Sequence, residues 1–192
     1  LAAAHGLDPG QPWLIAAAMM RSGDKLASYR ELADALGRLG DRPWQLLVLG
    51  DGPARAQVEA AFAPLGGRVR YAGATDARAT ARALKSADLF VWPAVNEAYG
   101  MALLEAQAAG TPAVCGDFGG VSAILGDPET GRLVPAYDPS AFAGAVAELL
   151  DDTSARRAMG TAARAKVARS HTIDTAAQRI SALLAEITGV PA

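Results

Sequence analysis

The chain has 192 residues, 51% of them hydrophobic and 20% charged, a globular balance that excludes wholesale disorder and suits one domain or at most two small ones. Its net charge of −2 gives no global pull toward nucleic acid or an anionic membrane, and its 15 Arg against 3 Lys, beside abundant Ala, read as compositional drift. A single Cys excludes a disulfide framework and a Cys-based zinc site, the distant pair His5 and His171 argues against a His-ligated metal, and no apolar run reaches the roughly 18 residues of a membrane span.

The chain starts at Leu1 with no positively charged signal segment, so the simplest expectation is a cytoplasmic domain cut from a longer protein. His5 falls in a terminal tail. Residues 13–20 (WLIAAAMM) form a short buried run, and 25–39 follow with apolar residues at helical spacing. Residues 44–49 (WQLLVL) are a second buried run, closed by Gly50-Asp51-Gly52-Pro53. A helix is predicted over 54–65, a short strand over 69–72 and a helix over 76–86. Residues 88–92 (DLFVW) are a strand stopped by Pro93, 100–109 a helix ended by Gly110, and 112–115 (PAVC) the next strand. Residues 131–134 (GRLV) read as a final edge strand, and helices over 139–150, 153–169 and 172–188 follow. The last carries Ile173, Ala176, Ala177, Ile180, Leu183, Leu184 and Ile187 as one apolar stripe.

Repeated strand–loop–helix units imply crossover connections, and continuous apolar strands imply burial on both faces. The fold class expected is therefore α/β: a Rossmann-like three-layer α/β/α arrangement with a mostly parallel sheet of about six strands, in one domain over 1–192.

In such a sheet, ligands bind beyond the carboxyl ends of the strands. The loop after the first strand is Arg21-Ser22-Gly23-Asp24-Lys25. It sets two cations at the mouth of a helix, a ready anion site; a solvated loop fits the same residues equally well. Gly50-Asp51-Gly52-Pro53-Ala54-Arg55 mimics a dinucleotide fingerprint, but it ends on Arg55 and follows the second strand, so a tight turn opening a helix is the better reading. The loop from Trp92 to Gly100 is richer. Gly100 lets backbone approach a ligand, and the amides of Gly100, Met101, Ala102 and Leu103 start a helix unpaired and point at an anion. Glu97 stands outside that helix and Glu105 within its second turn. Carboxylates on either side of an anion pocket fit a phosphate ester with hydroxyls at both ends, such as a ribose diol; the plainer reading makes both surface acids. Glu105 in the apolar stretch MALLEAQAAG would be costly if buried without partners. Gly119-Gly120 permits close backbone approach, or is a plain turn. Cys115, Trp13, Trp44 and Trp92 read as core, and His171 as a helix-start residue.

The run DLFVWPAVNEAYGMALLEAQAAGTPAV resembles the signature of group 1 (family 4) retaining glycosyltransferases: Pro-x-x-x-Glu, an aromatic-Gly pair, the E-x₇-E spacing of Glu97 and Glu105, and an A-x-G-x-P-V close. Arg21 with Lys25, Gly50-Asp51-Gly52-Pro53, Gly119-Gly120 and Gly131-Arg132-Leu133-Val134 agree in order, so the resemblance runs from about residue 12 to about 188. It implies the C-terminal, donor-binding half of a GT-B fold, with the N-terminal acceptor domain absent from this chain. It also implies that Arg21 and Lys25 hold the donor diphosphate and Glu97 the sugar hydroxyls. The backbone of Tyr99, Gly100, Met101, Ala102 and Leu103 would cradle phosphate and sugar, Glu105 would bind the ribose, and the loop from Gly73 would meet the base. Arg21, Lys25 and Glu97 would be the catalytic groups of a retaining hexosyltransferase (EC 2.4) using a UDP-, GDP- or ADP-sugar, with no metal and no other cofactor. The fragment alone is expected to be inactive.

Ala94 and Ala98 stand where Ser and Gly are common in that family, Ser122-Ala123 replace a frequent Glu, and Lys25 follows Arg21 one residue early. In the family the last helix crosses to the partner half, so the 173–187 stripe is expected to lie partly exposed or under a second copy. The setting implied is a bacterial cytoplasm and polysaccharide or glycoconjugate synthesis, with peripheral membrane association of the full-length protein and no nucleic-acid partner. Two other functions stay open: a non-catalytic nucleotide or nucleotide-sugar binding module, and half of a nucleotide-sugar epimerase. An NAD oxidoreductase is a distant further option.

Overall fold

The computed structural model describes residues 1–189, so the end of the expected 1–192 domain lies outside the described residues. The elements in chain order are α1 (Ala2–His5), β1 (Trp13–Ala17), α2 (Asp24–Gly37), β2 (Gln45–Leu49), α3 (Arg55–Phe62) with a 3₁₀ turn over Ala63–Arg68, β3 (Val69–Gly73), α4 (Ala77–Ser86) and β4 (Leu89–Trp92). They continue with α5 (Met101–Ala109), β5 (Ala113–Gly116), α6 (Val121–Ile124), β6 (Gly131–Val134), α7 (Pro139–Asp151), α8 (Thr153–Ser170) and α9 (Ile173–Thr188).

All six strands pair in parallel, where a mostly parallel sheet was expected, in the order β3-β2-β1-β4-β5-β6. The apolar runs explain this. Every residue of β2, β4 and β5 is buried, which only helices on both faces can achieve. On one face α2 packs against α3 and α7; on the other α5 packs against α4 and α8. The chain winds outward from β1 to β3, then returns to lay β4 beside β1. Connections therefore diverge between β1 and β4, and a crevice opens at their carboxyl ends.

Helix ends divide into two kinds. Asp76, Asp138, Asp152 and Thr172 each accept a hydrogen bond from the backbone amide three residues on, at 2.7, 2.8, 2.8 and 3.1 Å, and so cap α4, α7, α8 and α9. No side chain caps α2 or α5, which flank the crevice, or α3. Their first amides are left for other partners.

Several expectations need correction. The N-terminal tail holds a short helix ending at His5, anchored by buried Leu7 and by Arg70 Nε donating to the Gly6 carbonyl at 3.2 Å. Trp13 is only half-buried, its indole N–H donating to the Asp8 carbonyl at 2.9 Å, and Trp44 precedes β2 rather than lying in it. The α9 stripe, by contrast, is exposed as expected, with Ile173 and Ile187 87% and 79% accessible. Among the described residues, no helix is long and apolar enough to cross a membrane.

Candidate functional site

Lys25 is the second residue of α2, just after β1, and Glu97 lies in the loop after β4. Because β1 and β4 are neighbours, side chains 72 residues apart in sequence meet across the crevice. Lys25 Nζ forms a short ion pair with Glu97 Oε2. Trp92, the last residue of β4, completes the cluster. Its indole N–H donates a long hydrogen bond, 3.4 Å, to the same oxygen, and Lys25 Nζ lies 5.6 Å from the centre of its ring. Glu97 Oε1 accepts from no group among the described residues. The two charged side chains retain only 19% and 17% exposure.

The loop carrying Glu97 is strained and braced. Ala94 and Asn96 both adopt positive φ, 58° and 49°, which non-glycine residues seldom do. Ser28 of α2 holds it by accepting from the Val95 amide at 3.0 Å, and Asn96 donates to Asp24 at 3.2 Å. From below, Gly119 and Gly120 support it: the Gly120 amide donates to the Ala98 carbonyl at 3.0 Å, and a Cβ on Gly119 would strike the Glu97 carbonyl oxygen. Those paired glycines therefore serve loop-to-loop packing. The same holds for Gly50 and Gly52, whose missing Cβ atoms would collide with the Ala18 and Met20 carbonyls. The partial fingerprint is the seam between the loops after β1 and β2, as the turn reading expected.

Beside the ion pair lies a cavity of about 310 Å³. It is lined by Lys25, Glu97, Tyr99, Gly100, Met101, Ala102 and Leu103, together with Trp92 and Cys115 from the strand ends. The uncapped start of α5 thus borders a space that also holds a cation and a carboxylate, a combination suited to an anionic ligand with hydroxyls nearby. Cys115 is buried beneath it. Burial, and secondarily the Glu97 charge, push its thiol well above the ordinary range, so it is a neutral wall and no nucleophile.

The other predicted residues are placed elsewhere. Glu105 is exposed, so the argument that it would be costly without partners does not apply to it. It lines a separate cavity of about 510 Å³ with Thr75, Thr80, Lys85 and Arg164, on the other side of α5. The E-x₇-E pair therefore faces two spaces, one at the first turn of α5 and the other along its second half. Gly73 ends β3 and accepts from the Gly50 amide at 2.9 Å; it lines neither cavity, though Thr75 two residues on lines the second. Arg21 is exposed, lines neither cavity, and makes no side-chain hydrogen bond or ion pair among the described residues. Sequence reasoning missed Trp92, read only as core, and Ser28, Asn96, Lys85 and Arg164. For Trp92 a signal existed: a polar-edged ring at the carboxyl end of a central strand. For Arg164, on a distant helix, there was none.

Residues 18–166 match the family model for glycosyl transferases group 1. A D-inositol 3-phosphate glycosyltransferase of Corynebacterium diphtheriae is 36% identical over 141 residues, which cover 70% of this chain and 33% of that protein. One from Nocardia farcinica is 30% identical over 97% of this chain and 44% of its own length. The chain thus spans less than half of these curated relatives. Among solved structures, sucrose-phosphate synthase from Thermosynechococcus elongatus superposes with a TM-score of 0.83 at 25% identity, over 98% of this chain and 48% of that one. Anabaena HepE, solved in complex with UDP and glucose, shares the fold with a TM-score of 0.73 at 18% identity, over 91% of this chain and 48% of its own. The matched stretch takes in Arg21, Lys25, Glu97 and Glu105, and by it this chain belongs to the group 1 glycosyltransferases.

Proposed function

We propose that this chain is the donor-binding half of a retaining, family 4 glycosyltransferase with a GT-B fold, transferring a hexose from a nucleotide-diphospho-sugar. The observation that carries the reading is the meeting of Lys25 and Glu97 at the uncapped start of α5, at the point where the strand order reverses between β1 and β4. A chain spanning about half of its structural neighbours is the size of one half of such a fold, which supports placing the acceptor domain in a missing partner segment. A fold neighbour in complex with UDP and glucose supports the ligand class. The relatives reported above come from bacteria, and a bacterial cytoplasmic setting is part of the same proposal.

The residues act as follows in this reading. The donor's diphosphate lies against the first amides of α5, and its charge draws Lys25 away from Glu97. Arg21, exposed and without a partner among the described residues, swings in as the second cation. These fixed positive groups stabilise the charge that grows on the leaving nucleoside diphosphate, so the reading invokes no metal. Glu97, released from Lys25 but still held by the Trp92 indole, accepts from the sugar hydroxyls. Glu105, in its own cavity, accepts from the ribose diol, and the Thr75 side of that cavity receives the base. Without an acceptor domain the chain binds donor and does not turn it over.

Calorimetry on this chain tests the reading. At least one of UDP, GDP and ADP binds, NAD does not, and Glu105→Ala weakens the nucleotide about tenfold, the worth of a charged hydrogen-bond acceptor. Binding of NAD with no nucleoside diphosphate would overturn it.

A further inference from the structure

Among the described residues, the Glu97 carboxylate is held by two groups, the Lys25 ammonium and the Trp92 indole N–H. When a diphosphate draws Lys25 away, the indole is the donor that remains. The aim of the carboxylate then follows the aim of the Trp92 ring. Whatever fixes that ring belongs to the working site, even where it lies beneath the cavity.

Tyr29 fixes it. This residue is fully buried on α2, one turn after Lys25, so helical spacing turns both side chains toward one neighbour. Lys25 stands over the Trp92 ring, and the Tyr29 ring meets it in a T, with centroids 5.0 Å apart and planes at 79°. Tyr29 is itself anchored twice. Its ring makes a second T with Phe62 of α3, at 6.2 Å and 81°, and its hydroxyl donates to the Ala18 carbonyl at 2.7 Å. Burial pushes the phenol pKa up, so the hydroxyl stays protonated and keeps donating. Ala18 lines the cavity of Glu97. One side chain thus ties α2, the end of β1 and the Trp92 ring into a single frame. A leucine would fill much of the same volume, but it would bring neither the bond to the cavity wall nor a ring that favours one tilt of the indole.

We infer that Tyr29 is a positioning residue: acting through Trp92, it sets the direction in which Glu97 presents its carboxylate to the donor sugar once Lys25 has turned to the diphosphate. The sugar's part in this rests on the donor reading above; the line of contacts from Tyr29 through Trp92 to Glu97 does not.

The chain's three tryptophans make the test direct, because each indole N–H has a different surrounding. Trp13 donates to the Asp8 carbonyl, Trp44 is buried without a partner among the described residues, and Trp92 donates to Glu97. In nitrogen–proton spectra of the intact chain, Trp92→Phe identifies the Trp92 signal and Glu97→Gln marks where it lies once the charged acceptor is gone. Tyr29→Leu moves it toward that place while the Trp13 and Trp44 signals hold still, and Tyr29→Phe, which keeps the ring, returns it. Calorimetry then compares whichever of UDP, GDP and ADP binds with its glucose conjugate. In Tyr29→Leu and in Trp92→Phe the diphosphate changes by about twofold at most, whereas the affinity of the conjugate relative to it falls about fivefold, as loss of one hydrogen bond does, and Tyr29→Phe recovers the ratio. A Trp92 signal in Tyr29→Leu that matches the parent, or equal losses for diphosphate and conjugate, makes Tyr29 a packing residue and overturns the inference. Should Tyr29→Leu not fold, the ratio in Trp92→Phe decides, and an unchanged ratio overturns it. Failure of the donor reading shows separately, as absence of nucleoside diphosphate binding, and the Trp92 signal still tests the link to Tyr29.

Discussion

Glu97→Gln keeps the shape of the side chain held by Lys25 and Trp92 and removes only its charge. Two effects of opposite sign follow. The first is on stability. Exposed ion pairs contribute about 0.2–1 kcal/mol, while breaking a fully buried pair costs about 3–5 kcal/mol. With 19% and 17% of the two side chains exposed, this pair sits between those limits. The variant should lose about 1–3 kcal/mol in urea denaturation, and Lys25→Met added to it should recover part of the loss, because the stranded ammonium is then gone. The second effect is on ligand. In the native chain Glu97 competes with a diphosphate for Lys25 and repels it. Without that charge, UDP should bind about fivefold tighter, about 1 kcal/mol, for a pair at intermediate dielectric. UDP-glucose should gain less, since the amide accepts more weakly from sugar hydroxyls. Calorimetry and denaturation on the same sample read both numbers. A variant that is less stable and also binds UDP more weakly would refute the exchange of Lys25 between Glu97 and phosphate.

Three further outcomes are expected. Arg21→Ala should leave unfolding within about 0.5 kcal/mol of the parent, because the side chain is exposed and has no partner among the described residues, yet weaken UDP about tenfold; unchanged UDP affinity removes Arg21 from the site. Gly119→Ala places a methyl against the Glu97 carbonyl at a φ of 49°, and should cost about 2 kcal/mol while weakening UDP through the displaced loop; a variant of parental stability would contradict the packing described. The third concerns alkaline pH. Burial raises the folded-state pKa of Cys115 far above the value of about 8.5 it regains on unfolding. Above that pH the unfolded chain binds fewer protons than the folded one. The stabilisation is complete below about pH 8.5 and declines as pH rises, by up to about 1.4 kcal/mol per unit. Cys115→Ala should flatten the decline until Tyr29, also raised by burial, ionises in the unfolded chain near about pH 10. An unaltered slope between those values would exclude Cys115 as its source.

Much of the fold was legible because burial writes itself into composition. Uninterrupted apolar runs marked the central strands, and Asp76, Asp138, Asp152 and Thr172 stood where helices begin because short polar side chains satisfy first-turn amides there. The tail helix over Ala2–His5 was not legible. It spans one turn, below the length at which periodicity can register, and owes its order to Leu7 and to Arg70 on β3. Strand order was not legible either, since neighbours in a parallel sheet are chosen by packing among distant segments.

That order is what makes the site. Laying β4 beside β1 converts a cation in one loop and a carboxylate in another into a single ion pair with an indole at its side. Spacing alone suggested instead that Glu97 and Glu105 flank one pocket. The helix sends Glu105 toward α4 and α8, and the two acids serve separate cavities. The glycines show the same limit from the other side. Gly52 and Gly119 sit in loops at the carboxyl edge, where a glycine suggests room for a ligand. Each is glycine because a carbonyl of the adjoining loop, Met20 or Glu97, already occupies the space a Cβ would take. What such a residue is for depends on what its absent side chain would strike: a neighbouring backbone means the loop is a brace for the ligand site, and only open space would make it the site itself.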